Sequence, residues 1–192
     1  MSRGIKAVLG PLLEALGALT ALPFVALAFL DGPRDDFYML GAQALALVPG
    51  ALGTAARGAY YRRTLAEFAT GAVVQFGSYF SKRGARVQER AGIGAYCVLG
   101  LVDIGPAVRI ASRVSVTSGL HYHGSAAEGV RSRDSVERVI IGANTWIGEA
   151  AVIGADVGAN CIVGMGSVVI QAVPDGSTVL GNPARRLPSA AA

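Results

Sequence analysis

The chain is poor in charge, in aromatic rings and in the residues that usually carry chemistry. Only 16% of its 192 residues are charged and 7% aromatic, with two cysteines and two histidines in all. The low charge and the 52% hydrophobic content exclude a disordered segment and a charge-rich helical bundle. The cysteines, Cys97 and Cys161, stand far apart with no metal-ligand or paired spacing, so neither a disulfide scaffold nor a zinc knuckle is encoded, and a reducing cytoplasm fits. The formal charge is +4, carried by short basic groups without interleaved aromatics, which argues against nucleic-acid binding. The length suits one main core with a small appendage.

Glycine and small apolar residues fill the space that these absences leave. Residues 7–30 are nearly all apolar, but Pro11, Glu14 and Pro23 interrupt them, which disfavours a simple spanning helix. A secretory signal is a weaker reading: Met1–Lys6 is basic and Ala26-Leu27-Ala28 resembles a cleavage site, yet Glu14 breaks the apolar region. A second apolar stretch, Phe37–Gly53, follows the polar turn at 31–36, and the pattern predicts two helices joined by that turn. Residues 1–69 thus form an apolar helical segment. It either caps a neighbouring structure or makes peripheral membrane contact through residues 1–56, with Arg57, Arg62, Arg63, Tyr60 and Tyr61 at the headgroup boundary.

From residue 74 the apolar residues recur every six. Hexads begin at Val74, Phe80, Val87, Ile93, Leu99, Ile104, Ile110 and Val116, and again at Ile141, Ile147, Ile153, Val157, Val163 and Val169. A helix needs a period of 3.6 and a half-buried strand a period of 2, so a period of six means a chain that turns a corner every six residues. The second hexad residue is often Gly (Gly94, Gly100, Gly105, Gly142, Gly148, Gly154, Gly158, Gly164), where a tight bend with unusual dihedrals is expected. The fifth is small or branched, and both cysteines fall there, as compact buried side chains. Coils of this kind satisfy their backbone only by stacking, and their ends need covers.

The pattern of aliphatic residue, Gly, two variable residues and a small one resembles the hexapeptide-repeat acyltransferases over residues 70–187. The run Ile140–Leu187 (IIGANTWIGEAAVIGADVGANCIVGMGSVVIQAVPDGSTVLGNPARRL) is similar to the acetyl-CoA-binding end of sugar and antibiotic acetyltransferases in that superfamily. The resemblance implies a mainly β fold, a left-handed parallel β-helix of hexapeptide repeats, and a homotrimer with active sites between subunits. It also implies an acetyl-CoA donor, a sugar, glycan-precursor or other hydroxyl or amine acceptor, and a cytoplasmic O-acetyltransferase. For the donor it implies that backbone at Gly148 and Gly166 lies along the pantetheine arm with Ser167 near it, and that Arg185 or Arg186 meets a CoA phosphate. Trp146 is a further candidate against the cofactor.

Nine of the twelve spacings within the two blocks are six, and between the blocks lies Thr117–Arg138 (TSGLHYHGSAAEGVRSRDSVER), a polar segment expected to protrude and holding both histidines of the chain. Acyl transfer from a thioester needs a base for the attacking hydroxyl or amine, and neutral imidazole suits that work near pH 7. Ser118-Gly119 followed by His123-Gly124 resembles the catalytic loop of the related transferases, which makes His123 the first candidate base and His121 the second. Two other readings remain. One is a non-enzymatic β-helix scaffold at a membrane. The other is a metal-dependent hydratase of the same architecture, which needs three histidine ligands that one chain with two histidines does not supply. No metal is expected, and residues 188–192 form a tail.

Overall fold

A computed structural model describes residues 3–32, 34–118 and 136–188. Helices α1 (Arg3–Ala28), α2 (Asp36–Ala46) and α3 (Gly50–Thr64) come first. Three helices stand where the pattern predicted two. Val48-Pro49-Gly50 divides the second apolar stretch, Pro49 serving as N-cap of α3 in an extended conformation and Gly50 taking φ +67°. Conversely, α1 runs through Pro11 and Pro23 without ending. Close packing on α3 offsets the hydrogen bonds lost there: a Cβ on Gly17 would stand 2.6 Å from Ala55 Cβ.

The rest winds in coils of three very short strands. The first coil holds β1 (Glu67–Phe68), β2 (Val73–Val74) and β3 (Tyr79–Phe80), and the second β4 (Arg86–Val87), β5 (Gly92–Ile93) and β6 (Val98–Leu99). The third holds β7 (Val102–Ile104), β8 (Arg109–Ile110) and β9 (Ser115–Val116), and the fourth β10 (Val139–Ile141), β11 (Trp146–Ile147) and β12 (Val152–Ile153). In the fifth, a bridge at Val157 precedes β13 (Ile162–Val163) and β14 (Val168–Val169); a bridge at Val173 then leads to β15 (Thr178–Leu180) and β16 (Arg185–Arg186).

Equivalent strands of successive coils pair in parallel and build three faces. The first face is β1-β4-β7-β10 extended through Val157 and Val173, the second β2-β5-β8-β11-β13-β15-β16, and the third β3-β6-β9-β12-β14. Among the described strands, only β16 pairs antiparallel, folding back on β15. A two-residue strand has no stability of its own, and its N–H groups are satisfied by the next coil, as in Gly94 N–H to Ile110 O (2.8 Å) and Gly148 N–H to Val163 O (2.8 Å).

All fourteen residues that open the hexads point inward and are at most 4% exposed. The glycines that follow them do not carry the unusual dihedrals expected of them. Positive φ falls instead on the fourth hexad residue, at Arg90, Tyr96, Ala107, Arg113, Asn144, Ala150, Asn160 and Gly166. The second residue is Gly because of crowding: a Cβ on Gly94 would meet Ala111 C at 2.5 Å, and one on Gly142 would meet Ala159 N at 2.4 Å. At the fifth position, interior hydroxyls tie coils together. Ser78 donates to Gly94 O (2.6 Å) and accepts from Cys97 N–H (2.8 Å), and Thr145 relates in the same way to Gly158 O and Cys161 N–H. Burial raises the Cys97 thiol pKa despite the hydrogen bonds it receives, which fits an inert core residue.

The helices cover the open end of the first coil. Tyr38, Tyr60 and Tyr61 pack with Phe68 and Phe80, the rings being 5.1 to 5.9 Å apart. Tyr38 donates to Phe80 O (2.9 Å), Tyr60 to Tyr38 O (2.7 Å), and Phe80 N–H to the Tyr61 oxygen (3.3 Å). Arg57 is 1% exposed and donates to Val74 O (2.9 Å), Leu45 O (2.9 Å) and Val48 O (2.9 Å), closing the carbonyl end of α2 onto the first coil. Arg57, Tyr60 and Tyr61 thus face the core rather than a headgroup boundary. Between α1 and α2, Arg83 pairs with Asp31 (2.6 Å) and Asp35 (2.9 Å) and lies over the Tyr38 ring. Desolvation alone would raise the pKa of Asp31, but the N–H groups of Phe37 and Tyr38 together with Arg83 hold it below the usual carboxylate value.

Candidate functional site

The coil has three edges, and two of them are invariant. From first face to second, and from second to third, successive inward residues stand six apart: Val87, Ile93 and Leu99; Ile104, Ile110 and Val116; Ile141, Ile147 and Ile153; Val157, Val163 and Val169. The return from third face to first absorbs every irregularity. Phe80 to Val87 takes seven residues, Leu99 to Ile104 five, and Ile153 to Val157 and Val169 to Val173 four each. The segment holding both histidines leaves the coil at this same edge, between β9 and β10. His121 and His123 themselves lie outside the described residues, as does most of the expected protrusion.

The feet of the segment are described, and they are fixed. Glu137 N–H donates to Ser118 O (2.9 Å), closing the base. The Ser118 hydroxyl accepts from Leu101 N–H (3.0 Å) of the coil above. Arg138 donates to Gly84 O (2.8 Å) and pairs with Asp103, which also meets Arg86 at 3.5 Å. Sequence reasoning did not single out Asp103 or Arg138. Their only signal was a pair of opposite charges at the margins of a broken period, and coil stacking is what brings them together.

The remaining candidates fall elsewhere on the prism. Trp146 is on the outer side of the second face, 41% exposed, in register between Arg109 and Ile162. Arg185 pairs with Leu180 and therefore shares that outer side, whereas Arg186 pairs with the inward Val179 and points the other way; both arginines are exposed. Gly148, Gly166 and Ser167 line the edge between the second and third faces. Gly148 is held by stacking, since a Cβ would stand 2.5 Å from Met165 N. Gly166 is the exposed turn residue with φ +67°, and its N–H donates to Glu149 O (2.8 Å). Ser167 is fully buried and accepts from Gly181 N–H (3.2 Å). Glu149 pairs with Arg113 across successive coils on the same edge.

One protomer therefore separates its candidates. Trp146 and Arg185 share a face, Gly148, Gly166 and Ser167 line an adjoining edge, and the feet of the histidine segment emerge at the edge opposite that face. Among the described residues, no three His, Cys, Asp or Glu side chains converge as a metal site.

The family model for the hexapeptide repeat of succinyl-transferase matches residues 138–171, from the second foot of the segment through the fifth coil. Residues 138–171 thus match a hexapeptide repeat, and the fold as a whole is a parallel β-helix. Among solved structures, the hexapeptide-repeat protein resembles a hexapeptide-repeat-containing acetyltransferase from Vibrio cholerae at 22% identity and a TM-score of 0.65, over 94% of this chain and 93% of the other. It resembles a maltose O-acetyltransferase from Clostridium difficile at 22% identity and a TM-score of 0.57, over 78% of this chain and 83% of the other. The first similarity extends across the helical cap as well as the coils.

Proposed function

We propose that this hexapeptide-repeat protein is an acyl-CoA-dependent acyltransferase, moving an acetyl group to a hydroxyl or amine of a sugar, glycan precursor or related small acceptor in the cytoplasm. The observation that carries the reading is the edge at which the repeat departs from six: both histidines of the chain are inserted there, between feet pinned by Ser118 and by the Arg138–Asp103 pair. Both solved relatives described above are acetyltransferases by name. His123 is the proposed base and His121 the second candidate.

The chemistry is a direct displacement. The base takes the proton as the acceptor oxygen or nitrogen bonds to the thioester carbonyl carbon, a backbone N–H meets the oxyanion, and the C–S bond breaks to release CoA, which picks up a proton. Neither a covalent enzyme intermediate nor a metal is invoked.

The scatter of candidates over two edges supports a site built from two subunits, with the histidine segment of one facing the donor-binding edge of the next. The third face lies between those edges and presents Tyr79, Val98, Ser115, Val152 and Val168 outward, a row with one small hydroxyl among apolar side chains, suited to a trimer interface.

The test is release of free CoA thiol from acetyl-CoA by the purified protein with a panel of sugar and amine acceptors, and mass analysis of the products. Acceptor-dependent release that vanishes in His123→Ala supports the proposal. Absence of release across the panel favours a scaffold.

A further inference from the structure

The outward side of α1 has no partner among the described residues. Gly17, Ala21, Val25 and Ala28 face the helices and coils beneath, while Leu9, Leu12, Leu16, Leu19 and Leu22 line the opposite side and are exposed, Leu19 to 65%. The stripe continues through Phe29 and Leu30 to Phe37 and Leu40 of α2. Along α1 no charged or amide side chain interrupts it, while Arg34 and Asp36 are exposed in the turn before Phe37. Glu14, the one charge between residues 9 and 30, lies on the other side, in a cleft lined by Ala55, Gly58 and Arg62 of α3. The Thr20 hydroxyl donates to Leu16 O (2.8 Å) within the helix. Leu9–Ala28 is long and apolar enough to span a bilayer, yet its packing along α3 keeps it lying on the domain.

We infer that this stripe docks on the surface of a bilayer containing anionic lipid, with α1 lying in the plane of the interface. A protein partner would leave a polar rim around an apolar centre. The exposed leucines of α1 instead follow one another without a charged side chain between them, as suits an acyl-chain environment. The sequence places the basic residues Arg3 and Lys6 at the start of α1, and Arg34 is exposed beyond its end, charge complementary to anionic headgroups; of the nearby carboxylates, Asp31 and Asp35 are paired to Arg83 and Asp36 is exposed. The docking does not depend on the acyltransferase reading. On that reading, it points to an acceptor carried on a lipid headgroup as the substrate class.

Flotation of the full-length protein with vesicles of phosphatidylcholine and phosphatidylglycerol tests the docking apart from activity. The wild type is expected to float with the vesicles, less with pure phosphatidylcholine, and the double substitution Leu12→Glu with Leu19→Glu to lower partitioning on the order of a hundredfold. A Leu16→Cys variant carrying a polarity-sensitive dye gives a second readout, since Cys97 and Cys161 are buried. A blue shift on adding vesicles is expected, and an unchanged spectrum overturns the inference even if the glutamate variant misfolds. So does equal flotation of variant and wild type, or a wild type that stays off vesicles and sediments as a dimer that the two glutamates dissociate.

Discussion

Arg57 is a cation buried without a carboxylate partner among the described residues, and desolvation lowers its pKa from the ordinary arginine value. Its work is to satisfy carbonyls that the end of α2 and the first coil leave without N–H partners. Arg57→Met is expected to cost about 3–5 kcal/mol, read as a lower midpoint in urea unfolding. The tyrosines beside it give a pH signature. Burial, first of all, raises the pKa values of Tyr38, Tyr60 and Tyr61. Their raised folded-state values mean that the stability they contribute is complete below the unfolded tyrosine pKa of about 10 and is lost as pH rises beyond it. Thermal melts at increasing alkaline pH should show that decline, and Tyr60→Phe should flatten it. In the sequence, Arg57, Tyr60 and Tyr61 read as a basic, aromatic flank. Nothing local tells such a flank from a core, because the carbonyls that draw Arg57 inward belong to residues far along the chain.

At the scale of the repeat, position within the hexad decides what a residue can tolerate. The sequence makes the inward residues legible because each is large, apolar and regularly spaced. It hides the division of labour at the corners, since Gly is common at the second position for want of space while the left-handed dihedral sits two residues later, often on Asn, Ala or Arg. Gly148→Ala forces its coil away from Met165 and should cost about 3 kcal/mol. Gly166→Ala has nothing within 4 Å of the new methyl and adopts a dihedral that Ala107 and Ala150 already hold, so a loss of about 1 kcal/mol is expected. Melting curves of the two variants give the comparison. If Gly166 also lies along the donor, its alanine variant raises KM for acetyl-CoA by more than its stability loss explains.

For the whole molecule, the separation of candidates over two edges is what a linear reading missed. Period tells which residues share a face, but the edge of variable length resets the count on every turn, so distance along the sequence does not report distance around the prism. His123→Ala should lower acetyl transfer by about 10²- to 10⁴-fold with an unchanged melting temperature, measured as CoA release, and His121→Ala by less. Mixing His123→Ala subunits with subunits altered on the donor edge should restore part of the activity if sites form between chains. The helical cap also alters what truncation means. Removing residues 1–64 strips the cover from Phe68, Phe80 and the first coil, and the product should aggregate, visible by light scattering, rather than gain solubility.

The edge that takes seven, five, four and four residues has a consequence for how such a molecule changes over generations. Novelty can be spliced in along one seam while the other two hold the ladder in register, so a new recognition segment arrives without a new scaffold. A peptide inserted at the exposed Gln171 would leave Val169 and Val173 to their present neighbours, while the same graft one corner later, at Asp175, would throw the terminal strands out of alignment.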